Sequence, residues 1–167
     1  LTPTINSIFL VLGGIVRGAS RRASTKVAAT LAGEVFAALP MFDILENKMK
    51  ALSANLAAYR GDGGANEPQA AEAHQLRQRV ASMRDLLKLF PADSITKDDA
   101  LWRLLFHTLD KIEGVLADWG RKGKVRRALN GKSIKDGFER MDRELTTRID
   151  DVVRRLEATE REEACAL

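Results

Sequence analysis

Apolar residues recur at spacings of three and four along most of this 167-residue chain, and this period constrains its fold more than any other feature. Charged residues lie opposite them, as expected for helices that bury one face in a bundle. Four such stripes are present: Leu45, Met49, Leu52, Leu56 and Tyr59; Leu76, Val80, Met83, Leu87 and Phe90; Leu101, Leu105, Leu109, Ile112, Leu116 and Trp119; and Ile134, Phe138, Met141, Leu145, Ile149, Val152 and Leu156. No segment alternates with a period of two residues over enough length to predict a strand.

We therefore predict an all-α protein, an up-and-down helical bundle with a four-helix core, a short brace helix and a long C-terminal helix. The length favours one domain over residues 1–167. Because the chain begins with Leu rather than Met, we expect it to be an N-terminal piece of a larger protein. Helices are predicted at 4–19, 22–38, 41–60, 67–90, 96–119, 124–129 and 133–161.

Local signals set these boundaries. A hydroxyl residue followed three positions later by an acid predicts a capping box at a helix start. Two such pairs are present: Thr96 with Asp99, and Ser133 with Asp136. Gly120 and Gly123 are predicted to end the helix that precedes the second pair. Pro40, Pro91 and the polar, glycine-rich segment 61–68 interrupt the helical pattern.

The residues that carry most enzyme chemistry are sparse. The chain has two histidines and one cysteine, Cys165, so it offers neither a disulfide framework nor a Cys/His metal site. Gly131-Lys-Ser133 has the tail of a phosphate-binding loop, but Arg126 stands where that motif needs its first glycine. We predict no catalytic residue, no metal and no cofactor, and therefore not an enzyme, in an intracellular setting.

Positive charge is concentrated in one segment. Residues 120–132 contain six basic residues and no acidic one, in a chain whose net charge is only +4. A second basic cluster follows the apolar N-terminal run. Such clusters favour an anionic membrane surface, whereas nucleic acid is disfavoured because no aromatic residue lies in 120–132. The predicted lipid-binding residues are Arg121, Lys122, Lys124, Arg126, Arg127, Lys132, Arg17, Arg21, Arg22 and Lys26.

The N-terminal run over residues 5–16 is apolar but shorter than the roughly 20 residues of a membrane span. We predict a helix that packs in the bundle at rest and inserts into lipid on release. The insertion candidates are Ile5, Ile8, Phe9, Leu10, Val11, Leu12, Ile15 and Val16. Small residues at spacing four suggest an oligomerisation face at Gly14, Gly18, Ala29 and Gly33, although close packing inside a soluble bundle explains the same pattern.

The segment 119–151 carries a family resemblance. A basic connector follows the Trp119 helix, and apolar residues then continue into a long last helix: Val125, Leu129, Ile134, Phe138, Met141 and Leu145. This order resembles the end of the N-terminal helical bundle of mixed-lineage-kinase-domain-like (MLKL-type) proteins over about 95–160. The apolar first helix and the Ala/Gly-rich second helix, within 5–60, are similar to HeLo-like cell-death domains.

The resemblance implies a cell-death executioner that is held inactive by a kinase-like or immune-receptor domain in cis or in trans. On release it would form a homo-oligomer, bind anionic phospholipids and permeabilise the plasma membrane, to which it would be recruited from the cytoplasm. The residues leave an alternative open. In it, the chain is a helical adaptor or oligomerisation module whose basic patch binds an acidic protein partner.

Overall fold

The structure is a computed structural model that describes residues 38–57, 69–122 and 129–166. These residues form four long α-helices and contain no β-strand, which confirms the prediction of an all-α helical bundle. We number the helices α1 (Met41–Ala57), α2 (Ala70–Leu87), α3 (Ala100–Arg121) and α4 (Gly131–Cys165). A short 3-10 turn, Ala92–Ser94, lies between α2 and α3. The helix predicted at 4–19 and nearly all of those predicted at 22–38 and 124–129 lie outside the described residues.

The four helices belong to one compact unit that begins at Pro40. They pack as a ring in which α1 and α4 each contact both α2 and α3. Glu46, near the start of α1, is 3.6 Å from Arg84, near the end of α2, so these two helices run in opposite directions.

Side-chain pairs also fix the directions of α2 and α4. Lys135 lies 3.9 Å from Glu72. Seven residues later on both helices, which is about two turns, Arg79 lies 3.3 Å from Asp142. Residue numbers increase together along the two helices, so α2 and α4 run parallel as neighbours.

The third and fourth helices run antiparallel. Arg155 contacts Asp99, at the start of α3, and Lys111 contacts Glu144 further along it. Consecutive helices therefore alternate in direction, as predicted. However, α2 and α3 form none of the principal interfaces. The connection over 88–99 therefore crosses the end of the ring between opposite corners.

The predicted stripes form the core. In α3 the buried positions are alternately three and four residues apart, in strict heptad order: Trp102, Leu105, Leu109, Ile112, Leu116 and Trp119. The prediction was wrong at the first position, where Trp102 is buried and Leu101 is only half-buried. The predicted positions 101, 105 and 109 are four residues apart each time. The observed positions 102, 105 and 109 are three and then four residues apart, which is the alternation of a heptad. In α4 the stripe weakens towards its end, because Ile149 and Leu156 are half-buried.

Both predicted capping boxes are wrong. Helix α3 begins at Ala100, and its N-cap is Asp99 rather than Thr96. Helix α4 begins at Gly131 after Asn130, which makes no side-chain capping hydrogen bond, so Ser133 lies inside the helix. In both cases the helix begins at a residue other than the one that the spacing of hydroxyl and acid predicted.

Gly120 does not end α3, contrary to the prediction. The helix continues to Arg121, and Lys122 follows with right-handed dihedrals while its N–H donates to the Trp119 carbonyl. A right-handed C-terminus has no need of the left-handed conformation that favours glycine. Gly123 lies outside the described residues.

Asp99 joins the start of α3 to α4. Its carboxylate accepts a hydrogen bond from the Leu101 N–H at 2.9 Å and two from the Arg155 guanidinium, at 2.6 and 3.2 Å. The Arg155 hydrogen bonds are the main cause that lowers the pKa of Asp99 below its usual 3.8, and the same contacts raise the pKa of Arg155.

Replacing Asp99 by Ala should lower the free energy of unfolding by about 1 kcal/mol or slightly more at pH 7, since the cap and the exposed ion pair are both lost. A lowered pKa in the folded state means that this contribution is complete above pH 3.8 and is lost as the pH falls through the folded value. Urea unfolding at pH 7, 5 and 3 should show the gap between wild type and Asp99→Ala narrowing only at pH 3. The exposed Asp98→Ala is the control, and an equal gap at all three pH values would contradict the assignment.

The other end of α3 rests on α4 through one tryptophan. The Trp119 ring lies 5.0 Å from the Phe138 ring, centroid to centroid. A Cβ atom at Gly137 would lie only 2.6 Å from Cζ2 of Trp119, whereas one at Gly114 would meet nothing within 4 Å. Gly137 thus provides the space in which the indole packs against the α4 backbone.

These two glycines form a matched test. Gly114→Ala should raise the free energy of unfolding by roughly 0.5–1 kcal/mol, because alanine is the better residue in a helix interior. Gly137→Ala should lower it despite the same gain in propensity, because the methyl group displaces Trp119. Urea unfolding followed by circular dichroism measures both, and equal stabilisation by the two changes would show that the indole is not seated on Gly137.

Candidate lipid-binding surface

The last turn of α3 and the first turn of α4 lie side by side at one end of the bundle. Trp119 contacts α4 at Gly137 and Phe138, so the residues just after Trp119 are held beside the start of α4. We call the surface formed there by Arg121, Lys122, Leu129 and Lys132 the basic pole. Three of the predicted lipid-binding residues, Arg121, Lys122 and Lys132, therefore lie at the same end of the bundle.

All four residues of the basic pole are exposed. Leu129 is 80% exposed, more than any other large apolar residue among those described. Arg121 lies 3.6 Å from Asp118, but both side chains are mostly in water, where such a pair contributes little. No ion pair joins Lys122 or Lys132 to another described residue. The pole therefore presents an apolar side chain among positive charges that are barely neutralised.

The start of α4 adds hydrogen-bond donors to this surface. Asn130 gives no side-chain cap, and the first turn of α4 contains no acidic residue. The first N–H groups of a helix have no partner within it and carry a partial positive charge. An open depression of about 410 Å³ lies here, lined by Leu129, Asn130, Lys132, Ser133, Asp136 and Arg140. The side chains of Lys132, Ser133 and Arg140 suit an anionic oxygen ligand, while Asp136 limits the positive potential.

Cations on the flanks of the helices are differently placed, because carboxylates of neighbouring helices neutralise them. The interhelical ion pairs are Lys48–Asp110, Lys48–Glu113, Arg79–Asp142, Arg84–Glu46, Lys111–Glu144, Lys135–Glu72 and Arg155–Asp99. At Lys48, burial alone would lower the pKa, but hydrogen bonds to Asp110 and Glu113 outweigh it and raise the pKa. These pairs leave little net charge along the sides.

Most of the other predicted site residues lie outside the described residues. They are the lipid-binding candidates Lys124, Arg126, Arg127, Arg17, Arg21, Arg22 and Lys26; the insertion candidates Ile5, Ile8, Phe9, Leu10, Val11, Leu12, Ile15 and Val16; and the oligomerisation candidates Gly14, Gly18, Ala29 and Gly33.

Sequence reasoning missed the role of Leu129. It placed this leucine among the apolar positions of the family pattern, without regard to exposure. The available signal was its position between Arg127 and Lys132, outside all four long stripes. Because no stripe includes Leu129, the sequence pattern predicted no helix face that would bury it.

In the described part of the chain, no helix is both long enough and apolar enough to cross a membrane. Within the same residues, no group of three or more His, Cys, Asp or Glu side chains lies close enough to bind a metal ion.

No protein-family model, curated protein or solved structure matches this chain. The resemblance to mixed-lineage-kinase-domain-like proteins therefore stays a prediction, and a function has to be inferred from the residues of the basic pole.

Proposed function

We propose that this chain is a membrane-targeting cell-death executioner domain that binds anionic phospholipids, oligomerises and permeabilises the membrane. One observation supports the first step: Leu129 is 80% exposed at the same end of the bundle as the exposed cations Arg121, Lys122 and Lys132. Peripheral proteins attach to anionic bilayers through this combination of basic charge and apolar contact.

The two kinds of side chain contribute comparable free energies. A Lys or Arg near an anionic leaflet contributes about 1 kcal/mol, and less in high salt. Full burial of a leucine contributes roughly 1.5–3 kcal/mol, and Leu129 still has most of that gain available because it is largely in water. Attachment is therefore favourable, but it does not by itself breach the bilayer.

Permeabilisation requires more apolar surface than the basic pole offers. We assign this step to the apolar N-terminal residues 5–16, which would leave the bundle and enter lipid on activation. Oligomerisation through Gly14, Gly18, Ala29 and Gly33 would bring several such segments together. A kinase-like or immune-receptor domain, in cis or in trans, would hold the resting state, and the protein would move from the cytoplasm to the plasma membrane on release.

The same basic pole would also attract an acidic protein surface, as expected for a helical adaptor. Leu129 favours lipid over this alternative, because a single exposed apolar side chain enters a fluid bilayer without a matching pocket. The adaptor requires a partner that is absent from a vesicle experiment, so the two functions are separable.

Flotation with lipid vesicles tests attachment. The double variant Lys122→Gln/Lys132→Gln should reduce the partition coefficient for phosphatidylserine-containing vesicles by about tenfold or more, since two cations at about 1 kcal/mol each are removed. Lys50→Gln/Lys88→Gln removes the same charge from exposed positions away from the basic pole and is the matched control. Equal losses in the two variants, or no flotation of the wild type at low salt, would refute lipid recognition by the basic pole.

Dye leakage tests permeabilisation separately. Deleting residues 1–18 should abolish release of an entrapped dye while leaving flotation through 121–132 partly intact, because apolar burial and charge attraction depend on different segments. Leakage that survives the deletion would show that the N-terminal run does not insert.

A further inference from the structure

Charge varies along the length of α4, from one end of the bundle to the other. The helix has 35 residues and is therefore about 52 Å long. It begins at the basic pole and contains eight basic and ten acidic residues, so its net charge is small. The acidic excess is at its C-terminal end, where four exposed glutamates accompany one arginine: Glu157, Glu160, Glu162 and Glu163, with Arg161.

This acidic end lies farthest from the basic pole. Asp99 at the start of α3 contacts Arg155, so α4 continues for ten residues beyond the start of α3. At 1.5 Å per residue this extension adds about 15 Å to the long axis. We call residues 156–165 the acidic tip.

We propose that the bundle docks end-on on an anionic bilayer, with the basic pole against the lipid head groups and the acidic tip directed away from the membrane. This inference depends on the proposed lipid-binding function, and it adds the orientation of the bundle and the part of its surface that touches the membrane.

Screening decides how the two ends act. At physiological ionic strength charges interact over about 8 Å. An end-on bundle holds the acidic tip several times that distance from the surface, where the head groups do not repel its glutamates. A bundle lying flat would bring the glutamates of the acidic tip within reach of the anionic head groups and would be repelled.

The sides of the bundle give little compensating attraction, because basic and acidic residues nearly balance there. Lys48, Lys111 and Arg79 are paired with carboxylates of neighbouring helices. A flat orientation would also hold Leu129 at the edge of the contact rather than at its centre. Charge and apolar contact therefore favour the same orientation.

The single cysteine allows this orientation to be measured on the full chain. A donor dye on the exposed Cys165 reports the acidic tip. In a Cys165→Ser background, Ser133→Cys reports the basic pole and Thr147→Cys reports the middle of α4, and both positions are exposed. The three sites lie along one helix, with residues 133 and 165 about 48 Å apart.

Energy transfer to an acceptor lipid in phosphatidylserine-containing vesicles should be several-fold greater from residue 133 than from residue 165, with residue 147 between them. Equal transfer from the two ends would show a flat orientation, and greater transfer from residue 165 an inverted one; either result overturns the inference. Flotation of the sample labelled at Cys165, far from the basic pole, distinguishes the failures. Without flotation the lipid-binding function fails as well, whereas flotation with equal transfer refutes only the orientation.

Charge reversal at the tip tests the cause. Glu160→Lys/Glu163→Lys leaves the basic pole intact and should narrow the difference in transfer between residues 133 and 165, because the far end is no longer repelled. Glu139→Lys/Asp150→Lys makes the same change of charge at two exposed positions of α4 outside the tip and is the control. An unchanged difference in the Glu160→Lys/Glu163→Lys variant would overturn the role of the acidic tip in orienting the bundle.

Discussion

The contact between Trp119 and Gly137 holds together the end of the bundle that carries the basic pole. The indole needs the space left by a glycine, since a Cβ atom there would lie 2.6 Å from the ring. The contact joins the end of α3 to the start of α4, and the basic connector runs between these two ends. It therefore also fixes the relative positions of Arg121 and Lys132. A packing requirement in the core thus determines how closely charges are grouped on the surface.

Ion pairs between helices determine where the remaining charge appears. Each exposed or half-exposed pair, such as Lys111–Glu144, contributes little to the free energy of unfolding. Together they neutralise the flanks, so the surplus positive charge is left at one end and the surplus negative charge at the other. The charge pattern is a consequence of helix pairing: Asp142 and Glu144 of α4 pair with cations of α2 and α3, whereas Lys132 near its start and the glutamates of its last turns form no ion pair with another described helix.

The sequence was sufficient for the helices and most of the core, because burial on one face imposes a three-four period that few other structures share. It was insufficient where local chemistry competes with packing. Thr96 satisfies a capping pattern, yet Asp99 caps α3 because it also accepts hydrogen bonds from Arg155, fifty-six residues away. From the sequence alone, Gly137 is only a residue of low helix propensity, because its contact with Trp119 becomes visible only in the structure. The adjacency of α2 and α4 depends on the path of the connection over 88–99, which periodicity does not describe. For the basic pole, composition located the cations but not the exposed Leu129.

Attachment and insertion make opposite demands on a side chain, and in the proposed mechanism different segments of the chain would meet them. A residue that anchors the protein must be exposed before it meets lipid, as Leu129 is, and one such residue costs the folded state little. Residues that breach a bilayer must be many and apolar, and in water they would have to be covered until needed. The run over 5–16 has that composition, and its two adjacent glycines weaken it as an isolated helix. An end-on bundle keeps its recruiting surface small, so the trigger for insertion need not disturb the core that Trp119 and Gly137 hold together. Recruitment and permeabilisation would then respond to separate mutations, which is the behaviour that a regulated executioner requires.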